Sequence, residues 1–94
     1  MHEIDVSQLN EMPKESYAFI DIRDAGSVLY GVIPGAVNIP AEELERNAEA
    51  CLEKIDKAKK LIIYCQRGRE SVRVAELLEL YDRECYSLKG GYNA

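Results

Sequence analysis

Leu61-Ile-Ile-Tyr64, followed at once by Cys65-Gln-Arg-Gly-Arg-Glu-Ser-Val-Arg73, is the stretch on which the fold of this chain turns. The first four residues are a short continuous apolar run, as expected for a strand covered on both faces. Val74, Leu77, Leu78 and Tyr81 then recur at i, i+3, i+4 and i+7, which predicts a helix beginning near residue 70. A strand, a tight loop containing Gly68 and a helix N-terminus make a ready anion site. Successive backbone N–H groups can point into such a loop, and the helix dipole adds its positive end. Cys65 stands at the mouth of that loop, directly after the strand.

The same alternation extends to both sides. Tyr17-Ala-Phe-Ile-Asp-Ile22 is an apolar run ending in a charge, and Ala36-Val-Asn-Ile39 lies between the breakers Pro34-Gly35 and Pro40. Glu84-Cys-Tyr-Ser-Leu88 reads as a weaker strand stopped by Gly90-Gly91. Leu44, Ala48, Cys51, Leu52 and Ile55 fall on one face of a helix. Strands alternating with helices imply an α/β domain, its sheet mostly parallel with helices on both faces. Ligands of such sheets sit beyond the carboxyl ends of the strands, where Cys65 falls. Ninety-four residues without a repeat or linker allow one domain, spanning 1–94.

Apolar residues make up 47% of the chain and charged residues 31%, an ordinary globular balance. The net charge of −5 argues against nucleic acid or an anionic membrane as the main partner. No apolar run approaches the roughly 20 residues of a membrane span, and no signal peptide is visible at Met1-His-Glu-Ile-Asp5. Three cysteines, Cys51, Cys65 and Cys85, do not look like a disulfide framework, so a cytoplasmic location is expected. With His2 as the sole histidine and no C-x-x-C, neither a metal site nor another cofactor is expected.

A cysteine at the mouth of an anion loop should be a thiolate near neutral pH. Lowering a thiol from about 8.5 to about 6.5 requires roughly 2.7 kcal/mol of preference for the anion. A helix terminus supplies only about 0.3–1 kcal/mol. Several loop N–H groups, with help from arginine, must therefore supply the rest. Residues 65–73 carry three arginines against one glutamate, so a small basic mouth and an anionic donor substrate are expected. Cys51 and Cys85 read as core packing, His2 as solvated, and the charged stretch 42–60 as a wet helix face.

Asp21-Ile-Arg23, Gly31-Val-Ile-Pro-Gly-Ala-Val-Asn-Ile-Pro40, Tyr64-Cys-Gln-Arg-Gly-Arg-Glu-Ser71 and Leu88-Lys-Gly-Gly91 resemble, in order and spacing, the motifs of rhodanese-like sulfurtransferase domains. The resemblance implies the rhodanese fold and a ping-pong reaction. Cys65 attacks a sulfane donor, becomes a persulfide and passes the outer sulfur to a thiophilic acceptor. It implies a six-residue loop, Cys65, Gln66, Arg67, Gly68, Arg69 and Glu70, whose amides cradle the persulfide. Arg67 and Arg69 would face an anionic donor such as thiosulfate; a protein persulfide is the other donor class, and a thiol or cyanide the acceptor. Asp21 and Arg23 match the family's Asp-x-Arg pair and read as structural, with Ser71 supporting the loop. Glu70 departs from the pattern and is expected to turn to the helix start or to pair with Arg67, Arg69 or Arg73. The family usually continues past Tyr92-Asn-Ala94 with tryptophan and a short closing segment, so the chain is expected to be clipped or part of a longer protein.

Two other functions compete. Phosphatases and arsenate reductases of related fold commonly have arginine six positions after the cysteine; here that position is Ser71 and the next arginine is Arg73. A noncatalytic binding module is the other reading, although inactive relatives usually lack the cysteine. No histidine is placed to activate Cys65, which leaves a preformed thiolate as the route to reactivity.

Overall fold

The computed structural model describes residues 2–93. Five parallel strands form one sheet: β1 (His2–Ile4), β2 (Tyr17–Asp21), β3 (Val37–Asn38), β4 (Lys60–Tyr64) and β5 (Cys85–Leu88), in the order β1-β5-β4-β2-β3. Four helices accompany them: α1 (Val6–Asn10), α2 (Ala25–Val28), α3 (Ala41–Leu52) and α4 (Glu70–Leu78). Sheet and helices alternate along the chain as the sequence predicts.

The central strand accounts for the apolar run that marks it. Leu61, Ile62, Ile63 and Tyr64 are all fully buried. Leu61 and Ile63 pack with the apolar faces of α3 and α4, while Ile62 and Tyr64 face the opposite layer. The α3 face holds as read: Leu44, Ala48, Cys51, Leu52 and Ile55 are buried together, although the backbone breaks from helical geometry at Asn47 and Ile55 lies beyond the helix end. The second layer is thinner. Around Ile62 and Tyr64 it gathers Ile4, Leu88 and Tyr86 from neighbouring strands, Leu9 from α1, Met12, Ile33, Ala36 and the rings of Tyr17, Phe19 and Tyr92.

The α4 face departs from its predicted membership. Val74 and Leu78 are fully buried, but Ala75 and Ser71 complete the face, while Leu77 is only half-buried and Tyr81 is 42% exposed. The α-helix stops at Leu78 and tightens into a 3₁₀ turn over Glu79–Tyr81, whose three-residue period rotates Tyr81 off the stripe.

Strand order places the site. From β2 the chain moves outward to β3, then crosses back so that β4 pairs with β2 on its other side. The loops leaving the carboxyl ends of β2 and β4 therefore diverge, and a crevice opens between them. Asn38 fixes one wall, its Nδ2 donating to the carbonyls of Asp21 and Arg23 at 2.9 Å each. The other wall is the segment beginning at Cys65.

Candidate active site

Cys65 follows β4 immediately, and its side chain is nearly buried, at 7% exposure. The next three residues turn sharply, with Gly68 at φ +89°, and bring the Gly68 N–H to 3.1 Å from Sγ. An L side chain at Gly68 would be strained at that φ and would put a Cβ 2.9 Å from the Gly90 nitrogen. The first turn of α4 adds Ser71, whose Oγ lies 3.5 Å from Sγ and 2.7 Å from the Oγ of buried Ser87 on β5.

Burial opposes ionisation of Cys65 and is the largest single influence on it. The Ser71 hydroxyl, the Ser71 N–H and the N–H groups of Gly68 and Arg67 together outweigh it and hold the thiol below its ordinary range. The polar loop amides thus supply what a helix dipole alone could not.

A second turn clamps this loop from behind. Tyr92 N–H donates to the Cys65 carbonyl at 2.8 Å and Asn93 N–H to the Gln66 carbonyl at 3.2 Å. Gln66 Nε2 donates to Asn93 Oδ1 at 2.7 Å. So close an approach requires glycine before it: a Cβ at Gly91, where φ is +64°, would lie 2.4 Å from the Cys65 carbonyl oxygen.

Asp21 and Arg23 join the two walls. Arg23 donates through Nε and Nη2 to the Asp21 carboxylate, through Nη2 to the Gly31 carbonyl at 2.7 Å, and through Nη1 to Gln66 Oε1 at 3.1 Å. Its guanidinium lies 4.2 Å from the centre of the Tyr92 ring. Burial would raise the Asp21 carboxyl, but bonds from Arg23 and Tyr64 hold it below the usual range, so the pair stays charged. Burial likewise pushes the Tyr64 phenol up to about 12, keeping its hydroxyl protonated as it accepts from Ile33 N–H at 3.2 Å.

A cavity of about 410 Å³ opens in front of Cys65, lined also by Ile22, Arg23, Asp24, Ser27, Pro40, Ala41, Glu42, Gln66 and Glu70. Its charge differs from the expected basic mouth. Arg67 and Arg69 are exposed and line no part of it; Arg67 serves the sulfur through its backbone N–H. The lining instead carries three carboxylates, because residues 24 and 42 arrive from elements that a count over 65–73 omits. Glu70 is exposed and accepts from Arg73 Nη2 at 3.3 Å, while Arg73 also pairs with Glu45. Glu42, read as part of a wet helix face, borders the cavity.

Sequence reading missed Ser87, Gly31, Tyr92 and Asn93. Ser87 carried a usable signal, a lone hydroxyl among the apolar residues of a strand. Gly31 opened a motif without a role assigned to it; Tyr92 and Asn93 act through backbone N–H groups, a stacked ring and an amide oxygen and had none. Among the described residues, no group of three or more His, Cys, Asp or Glu side chains could hold a metal, and no helix is long and apolar enough to cross a membrane.

Comparison with known proteins places these features in a family. The sequence model of the rhodanese-like domain matches residues 5–94. Thiosulfate sulfurtransferase GlpE of Shewanella oneidensis is 33% identical over 93 residues, covering 97% of this chain and 88% of that protein. The GlpE of Coxiella burnetii is 34% identical over 80 residues, covering 84% and 71%. Among solved structures, a rhodanese-like domain protein from Staphylococcus aureus superimposes with a TM-score of 0.82 at 25% identity, covering 100% of this chain and 90% of that one.

Proposed function

The chain belongs to the rhodanese-like family, and on that premise we propose that it is a sulfurtransferase in which Cys65 carries the sulfur as a persulfide. One observation carries the assignment of Cys65: Sγ receives the Gly68 N–H at 3.1 Å and faces Ser71 Oγ at 3.5 Å, in a loop that favours the thiolate. In the first half-reaction the Cys65 thiolate attacks the sulfane sulfur of thiosulfate. The donor's S–S bond breaks, sulfite leaves with the electron pair, and Cys65 becomes a persulfide. In the second, a nucleophile such as cyanide or a thiolate attacks the outer sulfur, and Cys65 departs as the thiolate.

The loop amides support both halves, because the same N–H groups that hold the attacking thiolate stabilise it as a leaving group. Neither step needs a general base, which suits a site with no histidine near it. Asp21 and Arg23 are positioning residues: through Gln66 they set the loop against β2. Arg67 and Arg69 support the loop as backbone and as exposed charge. Three free thiols suit a reducing compartment such as the cytoplasm.

Mass spectrometry after incubation with thiosulfate tests this reading. The expected result is one additional sulfur on the Cys65 peptide, removed by cyanide with formation of thiocyanate. Cys65→Ser should stay folded and take up none. Sulfur uptake elsewhere, with transfer activity retained in Cys65→Ser, would overturn it.

A further inference from the structure

The cavity in front of Cys65 is bordered by carboxylates from three different elements. Asp24 is the N-cap of α2, its Oδ1 accepting from Ser27 N–H at 2.9 Å and from the Ser27 hydroxyl at 3.1 Å. Glu42 lies in the first turn of α3, and Glu70 opens α4. An acid at a helix start answers unpaired N–H groups and the dipole, which accounts for each residue singly. Their convergence has a further effect. Three carboxylates from the starts of three helices meet at one opening.

Of the cations nearby, Arg67 and Arg69 on the Cys65 loop are exposed and lie outside this lining. Among the described residues the one cation lining the cavity is Arg23, engaged by Asp21, Gly31 and Gln66. Arg73 is shared between Glu45 and Glu70. A small free anion that enters this cavity therefore meets a negative lining. Beside the rim the surface changes character. Between Ser27, which lines the cavity, and Gly31, whose carbonyl holds Arg23, the chain carries Leu29 and Tyr30 at 83% and 93% exposure. Such a pair beside a reactive site offers more apolar contact than a small anion can cover, and is suited to a protein surface.

We propose, building on the sulfurtransferase reading above, that the acceptor of the Cys65 sulfur is a cysteine set among lysines or arginines on a second protein, recognised by Asp24, Glu42 and Glu70 and contacted by Leu29 and Tyr30. The flanking cations serve two purposes: they match the rim, and they lower the acceptor's own thiol pKa so that it arrives as thiolate. That thiolate attacks the outer sulfur of the Cys65 persulfide. The S–S bond to Cys65 breaks, its electron pair stays on Cys65, and the acceptor becomes the persulfide with no net oxidation.

The test separates loading from discharge. Protein loaded from sulfane-labelled thiosulfate is freed of donor, the extra sulfur on Cys65 is verified by mass, and label transfer is timed at equal thiolate concentrations. The acceptors are a lysine-flanked cysteine peptide, a glutamate-flanked one, and cysteamine as a small cationic thiol. The lysine peptide is expected to discharge Cys65 about tenfold or more faster than the glutamate peptide at low salt, with the ratio shrinking as salt rises. It should also outrun cysteamine, and Leu29→Ser with Tyr30→Ser should remove that second advantage. Glu42→Gln with Glu70→Gln, and separately Asp24→Asn, should lower the charge preference while speeding loading from thiosulfate. Equal rates for the two peptides, an unchanged preference in the variants, or cysteamine matching the lysine peptide would overturn the proposal. Failure of Cys65 to load would overturn the sulfurtransferase reading beneath it.

Discussion

Cys65, just past the end of β4, and Cys85, at the start of the neighbouring β5, are both buried, at 7% and 2% exposure, yet their thiols are driven in opposite directions. Burial pushes Cys85 up to about 12, aided by the charge of Glu79, and the nearby charge of Arg83 only partly opposes it. Its Sγ has a carbonyl for a neighbour, that of Arg83 at 3.4 Å, which can accept a proton bond but cannot stabilise an anion. Burial is also the largest influence on Cys65, but there the donors outweigh it. The difference is the end of the strand on which each sits. Cys85 opens β5, where the chain enters the sheet. Cys65 leaves β4 where a loop and a helix start present N–H groups not used in sheet or helix. A thiol that favours its anion is made here by unpaired donors, not by exposure.

The contrast can be broken most directly by alkylation. At neutral pH iodoacetamide should modify Cys65 about a hundredfold faster than Cys85 in the native protein, from thiolate fraction partly offset by nucleophilicity. Comparable rates measured by peptide mapping would remove the distinction. A smaller effect isolates one donor. Ser71→Ala deletes the hydroxyl facing the sulfur, and a hydrogen bond to a charged group is worth about 1.5–3 kcal/mol, so the Cys65 pKa should rise by about 1–2 units. The pH dependence of alkylation reads this; an unmoved midpoint would assign the whole effect to backbone N–H groups.

The third effect is on stability, and the two thiols carry opposite signs. For Cys65, whose folded pKa is lowered, the stabilising contribution is present above the unfolded thiol value and lost as pH falls through the folded one. For Cys85, raised to about 12, the contribution is present below the unfolded value and lost as pH climbs toward 12. Cys85→Ala should therefore cost about 1 kcal/mol at pH 7 through lost packing. Above about pH 8.5 the deficit should shrink by about 1.4 kcal/mol per pH unit, so that near pH 10 the variant equals or exceeds the parent. Denaturant melts at the two pH values check this; a constant deficit would show that Cys85 does not titrate on unfolding.

What could be read from the sequence follows from range. The β4 run, the glycine turn and the α3 face are set by neighbours within about a dozen residues, and periodicity exposes them. β1 is three residues long, too short to show a period, although Asp5 and Gln8 do form the capping box that starts α1. The site was legible as a loop and not as a cavity. Cys65, Gln66 and Glu70 lie within one six-residue segment, whereas Asp24 and Glu42 join them only through the order of β2, β3 and β4. Charge counted along the chain therefore missed the two carboxylates that line the cavity from other elements. Arg67 and Arg69 show the same limit: residue type announced two cations beside the cysteine, but only backbone geometry decides which way they face.

The contact between Ser71 and Ser87 carries one more consequence. A hydroxyl has a single proton to give, so the state of Cys65 dictates the direction of every link in the chain from sulfur to Ser71 to Ser87. With a neutral thiol, the sulfur can donate to Ser71, which leaves Ser71 free to donate onward to Ser87. With a thiolate, Ser71 must turn its proton to the sulfur and can then only accept from Ser87. Ionisation thus reverses two interior rotors in concert, and a hydroxyl on β5 that never touches the sulfur records whether it is charged.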